Sequence, residues 1–456
     1  MQSQIDFKKF ALYSKPGPRY TSYPTAVEFS EDYTLTSYLE DLRADSNPLS
    51  LYLHLPFCRS ACYFCGCNVI YTSKEENKSL YIDYLKKELA LLKDTLDTTK
   101  AIQQLHFGGG TPTFFNAKEL EEIIALLHTT FPHFAKDAEI ACEIDPRFFN
   151  EEQMKALKNG GFNRLSFGIQ SFNQETQEAI HRIQPFSLVQ EAINLARKYE
   201  INSINFDLIY GLPYQNHQNF KETLELCVKL NPDRLAVFNY AHVPWLKKTM
   251  RKIDETTLPP PEEKLKILES TINYLEDRGY KMIGMDHFAK PDDELFKSIQ
   301  KNELRRNFQG YSTKGGTQTL GIGLTSIGEG KNYYAQNFKD LANYQKALDE
   351  GKLPFCKGIR LSFDDSLRKS VIMQLMSNFQ LDFKAIESEF SIDFNTYFKD
   401  SLQALSEYQE ANLIEILPHS LKVNQTGSLL IRNIAMAFDA YLKKFTQNQK
   451  VFSKTI

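Results

Sequence analysis

Six times between residues 49 and 277 the chain repeats one alternation: a short apolar run, then a longer stretch with apolar residues at every third or fourth position. Residues 49–55, 102–107, 138–144, 164–169, 204–209 and 234–239 read as strands. Residues 78–96, 118–130, 151–158, 187–199, 220–230 and 261–277 read as helices. Such alternation buries a parallel sheet under helices and leaves functional side chains at the C-terminal ends of the strands. The expected fold is α/β, an incomplete parallel (β/α)6-type barrel with its active-site loops over residues 49–360. A polar N-terminal arm, 1–48, precedes it, and a small, mainly helical, winged-helix-like domain, 361–456, follows. Pro16, Pro18 and Pro24 forbid regular helix in the middle of the arm. Residues 280–288 are expected to add a strand, and the Gly-rich stretch 305–327 reads as a long ordered loop. Residues 413–423 read as a hairpin. Residues 429–442 read as a helix with Leu430, Ile434, Phe438 and Tyr441 on one face.

Charge excludes some functions. Lys plus Arg number 54 against 57 Asp plus Glu, so no basic excess marks a nucleic-acid surface. A packing or lid role therefore suits the C-terminal domain better than DNA binding. No apolar run approaches the ~18 residues that span a bilayer, and the start, MQSQIDFKKF, is too polar for a signal peptide. Seven cysteines form no disulfide framework and suit a reducing cytosol. Cys142, Cys227 and Cys356 read as ordinary buried thiols.

The other four cysteines are concentrated in Cys58-Arg-Ser-Ala-Cys62-Tyr-Phe-Cys65-Gly-Cys67, directly after the first strand. The first three, spaced C-x3-C-x2-C with Phe64 before the third, suit an iron–sulfur cluster one ligand short of a full set. One iron would then keep an open position for chemistry. The alternative is a closed zinc site on all four thiolates, although zinc sites usually use two separated C-x2-C knuckles.

Other candidates stand at strand ends. Gly108-Gly109-Gly110 after the second strand allows close backbone approach to a ligand, or simply a tight turn. Glu143 and Asp145 lie two apart after the third strand, so both can look toward the barrel mouth. Gln170 follows the fourth strand. Asp207 sits inside a Leu/Ile/Phe run, where a carboxylate is costly unless paired or liganded. His54 reads as a satisfied core histidine, and His242 and His287 lack the spacing of a metal pair.

The cysteine spacing and its aromatic resemble the radical S-adenosylmethionine (SAM) superfamily. Over nearly its whole length the chain resembles one family within it, the oxygen-independent coproporphyrinogen III oxidases. The segments that carry this are GPRYTSYPTA (17–26), PFCRSACYFCGCN (56–68), LHFGGGTPT (105–113), EIDPR (143–147), GFNRLSFGIQSFN (161–173), DLIYGLP (207–213), NPDRLAVFNYAHVP (231–244), GMDHFAKPDDEL (284–295), RNFQGY (306–311) and LLIRNIAMAFDAYL (429–442).

The resemblance implies that Cys58, Cys62 and Cys65 hold a [4Fe–4S] cluster, with Cys67 acting nearby as a non-ligand. It implies that Tyr52, Gly109 and Glu143 hold the cluster-bound SAM. A second SAM would meet Phe64, Gly110, Thr111, Gln170, Arg182, Asp207, Ala241 and Ile327. Phe308 and Gln309 would lie at the active site, with catalytic roles shared by Cys67 and Tyr52. The implied reaction converts two propionates of coproporphyrinogen III to the vinyls of protoporphyrinogen IX without oxygen, in porphyrin and heme biosynthesis. The implied partners are that substrate and an electron donor such as flavodoxin or ferredoxin, for a cytoplasmic monomer. The substrate carries four carboxylates, and Arg19, Arg305 and Arg306 are expected to orient it by their position and charge. Ser171 leans instead toward a heme chaperone-like radical SAM group without decarboxylase activity, and GEGK after Ile327 is less typical of the oxidases. The arm, Cys67, Asp145-Pro146-Arg147 and RNFQGY lean toward the oxidase.

Overall fold

Alternation in Leu49–Leu55 (β1) sorts that strand into two faces. Leu49, Leu51, Leu53 and Leu55 are buried in the main apolar core, whereas Ser50, Tyr52 and His54 occupy the other face. Ile102–Gly109 (β2), Phe134–Ile144 (β3), Arg164–Gln170 (β4), Ser203–Tyr210 (β5) and Arg234–Asn239 (β6) follow; β5 alternates strictly, whereas Leu235, Ala236 and Val237 of β6 are all buried. The six strands pair in parallel in chain order. Helices Glu75–Thr95 (α1), Ala117–Thr130 (α2), Glu151–Asn159 (α3), Phe186–Lys198 (α4), His217–Lys229 (α5) and Pro261–Asp277 (α6) alternate with them. Asn116, Asn150 and Asn216 start α2, α3 and α5 with capping boxes. The structure, a computed structural model, describes residues 5–444. The first four residues of the expected arm and the last twelve of the C-terminal domain lie outside the described residues.

The sheet extends beyond the expected six strands. The stretch 305–327 is not a loop. It holds a small hairpin, Arg305–Asn307 with Gly310–Ser312, and then the strand Gln318–Ile322, which pairs in parallel with the free edge of β1. Ile327–Glu329, Tyr333–Asn337 and Phe355–Arg360 continue that edge in antiparallel fashion. Gly321 concealed the strand, because glycine weakens a strand pattern. Here it is required: a Cβ would stand 2.7 Å from the Ile327 carbonyl carbon. On the other edge, 280–288 forms two short strands rather than one, Lys281–Met282 and His287–Ala289, and the second runs antiparallel to β6.

The arm is packed rather than solvated. Phe7 and Phe10 of its helix Phe7–Tyr13 are buried, as are Tyr20 and Tyr23 of the irregular middle. The C-terminal region joins the helix Phe363–Asn378 to a three-stranded sheet, in which Ile414–Leu417 and Ser420–Val423 form the expected hairpin and Gln380–Asp382 adds a strand. The single helix expected over 429–442 is broken into Gln425–Leu429, Ile431–Ala435 and the tighter turn Met436–Phe438. The break accompanies polar docking onto the arm: Arg432 donates to the Pro18 carbonyl at 3.1 Å and Asn433 to that of Lys15 at 2.9 Å. No described helix is long and apolar enough to cross a membrane.

One buried carboxylate ties α1 to the added strands. Glu88 accepts from the Gly323 amide at 2.9 Å, the Asn337 amide group at 2.8 Å and the Tyr344 hydroxyl at 2.6 Å. Burial pushes its carboxyl up to about 7 against those three donors. Between the unfolded value near 4.5 and about 7 the folded chain therefore binds more protons, so stability falls as pH rises through that window. Glu88→Gln is expected to remove on the order of 3 kcal/mol of that pH dependence. Urea midpoints of both proteins at pH 5, 6 and 7 check this, and parallel pH profiles would refute it.

Candidate active site

Glycines let two loops close on each other above β1 and β2. The Gly110 amide donates to the Leu55 carbonyl at 2.9 Å and the Thr111 amide to that of Phe57 at 3.0 Å. A Cβ on Gly110 would stand 2.7 Å from the carbonyl oxygens of Pro56 and Phe57. Gly109 has φ +120°, a conformation that glycine alone adopts freely. The triple glycine thus presses the cysteine loop down onto the strand ends, where a cavity of about 290 Å³ opens.

Cys58, Cys62, Cys65 and Cys67 all border this cavity, as do Phe64, Gly109, Gly110 and Thr111. Thr111 Oγ1 lies 3.3 Å from Cys58 Sγ. Burial pushes the Cys58 thiol up to about 12. Hydrogen bonding from Cys67, whose amide is 3.4 Å from Cys65 Sγ, pulls the Cys65 thiol down to about 6, with Lys247 and Arg182 adding positive charge. Cys62 Sγ receives two guanidinium contacts, from Arg182 at 3.6 Å and Arg147 at 3.7 Å.

Glu143, Gln170, Arg182 and Asp207 complete the opposite wall. Arg182 is buried and donates to the Gly168 carbonyl at 2.8 Å and to Asp145 at 3.0 Å. Arg147 joins Asp145 at 2.7 Å. Burial opposes the Asp145 carboxylate, but Arg182 and Arg147 hold it below the usual carboxylate range. Asp207 accepts from Ser166 and from Asn205, each at 2.8 Å, while burial raises its carboxyl. Gln170 has φ +64°, a strained position for a non-glycine residue at a strand end.

Tyr52 does not itself line the cavity but meets Glu143 across Gly108. Its hydroxyl lies 3.0 Å from His54 Nδ1, and His54 Nε2 lies 3.0 Å from the Asn68 carbonyl. His54 is thus the satisfied histidine that the sequence suggested. His106, on the same face of β2 as Gly108, stacks on Tyr52 at 5.9 Å and reaches Glu143 at 3.2 Å. Sequence reasoning missed His106, Ser166, Asn205 and the pairing role of Arg147. His106 and Asn205 are legible as positions two residues from Gly108 and Asp207, and Ser166 as a position four before Gln170 on the same strand.

Four expected site residues lie apart from this cavity. Phe308 and Gln309 turn the small hairpin, and the Phe308 ring packs on Tyr334 at 6.0 Å. Ile327 belongs to the same apolar cluster as Tyr334 and Phe29. Ala241 borders a separate cavity of about 90 Å³ with Arg19, Asp286 and Arg432. Among the arginines expected to orient substrate, Arg305 is exposed beside Gly315. Arg19 pairs with Asp286, and Arg306 lies 4.7 Å over the Tyr311 ring. Ser171 is fully buried and its hydroxyl accepts from the Asn173 amide at 3.2 Å, a turn role that does not distinguish between families.

Residues 52–227 match the Radical SAM superfamily model, and residues 361–430 match that of the HemN C-terminal domain. The chain is 60% identical to the oxygen-independent coproporphyrinogen III oxidase of Helicobacter pylori strain J99, with 99% of each chain covered. It is 44% identical to the enzyme of that name from Escherichia coli K12, covering 100% of this chain and 99% of the relative. A solved structure titled "Coproporphyrinogen III oxidase (HemN) from Escherichia coli is a Radical SAM enzyme" superposes with TM-score 0.93 at 42% identity, over 97% of this chain and 100% of that one. On this evidence the chain belongs to the oxygen-independent coproporphyrinogen III oxidase family of radical SAM proteins.

Proposed function

We propose that the protein decarboxylates two propionates of coproporphyrinogen III to vinyls without oxygen, giving protoporphyrinogen IX. The observation that carries this is the cavity where three spaced cysteines meet the glycine loop and the inner-face residues of β3 to β5, in a chain of this family. The donor set fits a cluster. Cys58, Cys62 and Cys65 border one cavity in the C-x3-C-x2-C spacing, a set of three thiol donors of the kind an iron–sulfur cluster takes.

Cys58, Cys62 and Cys65 would hold a [4Fe–4S] cluster, with Cys67 beside it. When bound, cluster and SAM would supply a 5′-deoxyadenosyl radical able to take hydrogen from a propionate β-carbon; with the carboxylate lost as carbon dioxide and the remaining electron passed to a one-electron acceptor, a vinyl would result. The chain's own residues position the reactants. Tyr52, Gly109 and Glu143 would hold the cluster-bound SAM, with His106 fixing the Glu143 carboxylate. Phe64, Gly110, Thr111, Gln170, Arg182 and Asp207 border the same cavity and would meet a second SAM. Ala241 and Ile327, which the resemblance assigns to the second SAM, and Phe308 and Gln309, which it assigns to the active site, stand outside that cavity. Three parts share the work: the arm, 1–48, the barrel, 49–360, and the C-terminal domain, 361–456, as a cover.

Seven free cysteines favour a cytoplasmic setting. An electron donor such as flavodoxin or ferredoxin would serve a monomer. No observation in the structure favours the heme-chaperone alternative. Anaerobic protein reconstituted with iron and sulfide, given reductant, SAM and coproporphyrinogen III, is expected to yield protoporphyrinogen and 5′-deoxyadenosine. Deoxyadenosine without porphyrin conversion would sink the substrate assignment.

A further inference from the structure

Between β6 and α6 the chain runs along the cysteine loop. Residues 245–252 hold four cations, Lys247, Lys248, Arg251 and Lys252, and no acid, in a chain whose net charge is −3. The short helical turn Lys248–Lys252 is anchored by Met250, which is buried with Ile253 in an apolar cluster. Tyr63 and Phe64 of the cysteine loop pack on the same cluster. Two side chains of the stretch also reach that loop. Lys247 donates to the Cys67 carbonyl at 2.8 Å, and the Lys252 ammonium lies 4.8 Å over the Tyr63 ring.

The rest of the stretch faces solvent. Lys248, Arg251 and Lys252 are exposed, and so are Trp245, at 50%, and Leu246, at 65%. Arg251 Nε donates to the Pro244 carbonyl at 3.0 Å, which holds it beside the turn that carries Trp245. The next acids along the chain are engaged locally. Asp254 accepts from the Thr256 amide at 3.0 Å, and Glu255 lies 3.1 Å from His242 Nε2. Gly66 and Cys67 of the cysteine loop are exposed as well. Tryptophan and arginine exposed together, with apolar surface among cations, have the composition of a protein interface rather than of a solvated face.

Position and charge together identify the partner. The proposed reaction needs an electron from outside, delivered at the cysteine loop, and this stretch is fastened to that loop at Cys67 and Tyr63. We infer that residues 245–252, with the exposed edge of the cysteine loop at Gly66 and Cys67, form the docking face for an acidic one-electron carrier protein. Its surface carboxylates meet Lys248, Arg251 and Lys252, while Trp245 and Leu246 supply the apolar contact. One electron then passes from the carrier's reduced centre to the cluster. The carrier is oxidised by that one electron, and no bond or proton at the interface changes. This inference rests on the proposed function. It accounts for a run of cations, in a chain of net negative charge, at the point where the cysteine loop reaches the surface.

The test is anaerobic titration calorimetry of the reconstituted full-length protein with an oxidised acidic flavodoxin, a readout of binding that involves no turnover. Wild type is expected to bind, and less tightly as salt is raised. Lys248→Glu combined with Arg251→Glu should weaken binding roughly tenfold or more and raise the KM for reduced flavodoxin to match. The same variant should keep wild-type turnover with dithionite, a small reductant that needs no docking face. Lys399→Glu combined with Lys422→Glu makes the same charge change at exposed positions of the C-terminal domain and should bind as wild type. Leu246→Ser should weaken binding several-fold and covers the case in which the charge variant fails to fold. No binding by wild type, affinity within about twofold of wild type in both the charge variant and Leu246→Ser, or an equal loss in the C-terminal control overturns the docking face. If wild type converts coproporphyrinogen with dithionite in that case, the proposed function stands without it. A wild type that converts none with dithionite overturns that function, whatever flavodoxin does.

Discussion

Cys62→Ala is expected to give a folded protein that loads little iron and sulfide and releases no 5′-deoxyadenosine. The residue is nearly buried, and the guanidiniums of Arg147 and Arg182 lie within 3.7 Å of its sulfur. Removing the sulfur leaves those cations with Asp145 as their remaining anion at this point and takes one anchor from the proposed cluster. Turnover should fall by at least roughly a thousandfold. Anaerobic iron and sulfide analysis, with chromatography of the nucleoside product, checks both parts. Cys67→Ala provides the contrast: as a non-ligand it should keep its iron and sulfide. Full sulfide loading in Cys62→Ala, or loss of loading in Cys67→Ala, would show that the ligand assignment is wrong.

Gly110→Ala should be almost as severe, for a steric reason. Its added carbon would meet the Pro56 and Phe57 carbonyls at 2.7 Å, both backbone atoms that cannot swing aside. The hydrogen bond from the Gly110 amide to Leu55 must then stretch, and the cysteine loop must lift from the glycine loop. A loss of about 1–3 kcal/mol in stability is expected, together with a fall of about a hundredfold in turnover as the reacting groups separate. Gly66, within the cysteine loop, is the control, because nothing stands within 4 Å of a Cβ placed there. Gly66→Ala should behave as wild type. Thermal melts and turnover of the two variants decide the matter, and equal behaviour would refute the steric account.

The sequence made some of this legible and concealed the rest for identifiable reasons. Strands β1 to β6 were readable because each is a short apolar run set before a stretch of helical period. The cysteine loop was readable because its four cysteines lie within ten residues of one another. The strand Gln318–Ile322 was not, since it is short, contains a glycine and takes its place only by pairing with β1. The break near Leu430 was hidden for a similar reason: its cause is the arm, more than 400 residues away in the chain. The Arg19–Asp286 pair spans 267 residues, so no local pattern announces it. Asp207 was marked by its cost in an apolar run, but the partners that offset this cost, Ser166 and Asn205, appear only when β4 and β5 lie side by side.

The docking of the arm has a consequence for synthesis. Tyr20 donates to Asp439, the Ala440 amide donates to the Tyr23 hydroxyl, and the Lys15 and Pro18 carbonyls accept from Asn433 and Arg432. In synthesis the arm is therefore made more than 400 residues before the segment that holds it. Until residues 432–440 follow, the barrel strands can pair while the arm waits unpinned, and a truncation before residue 432 would leave it without these partners.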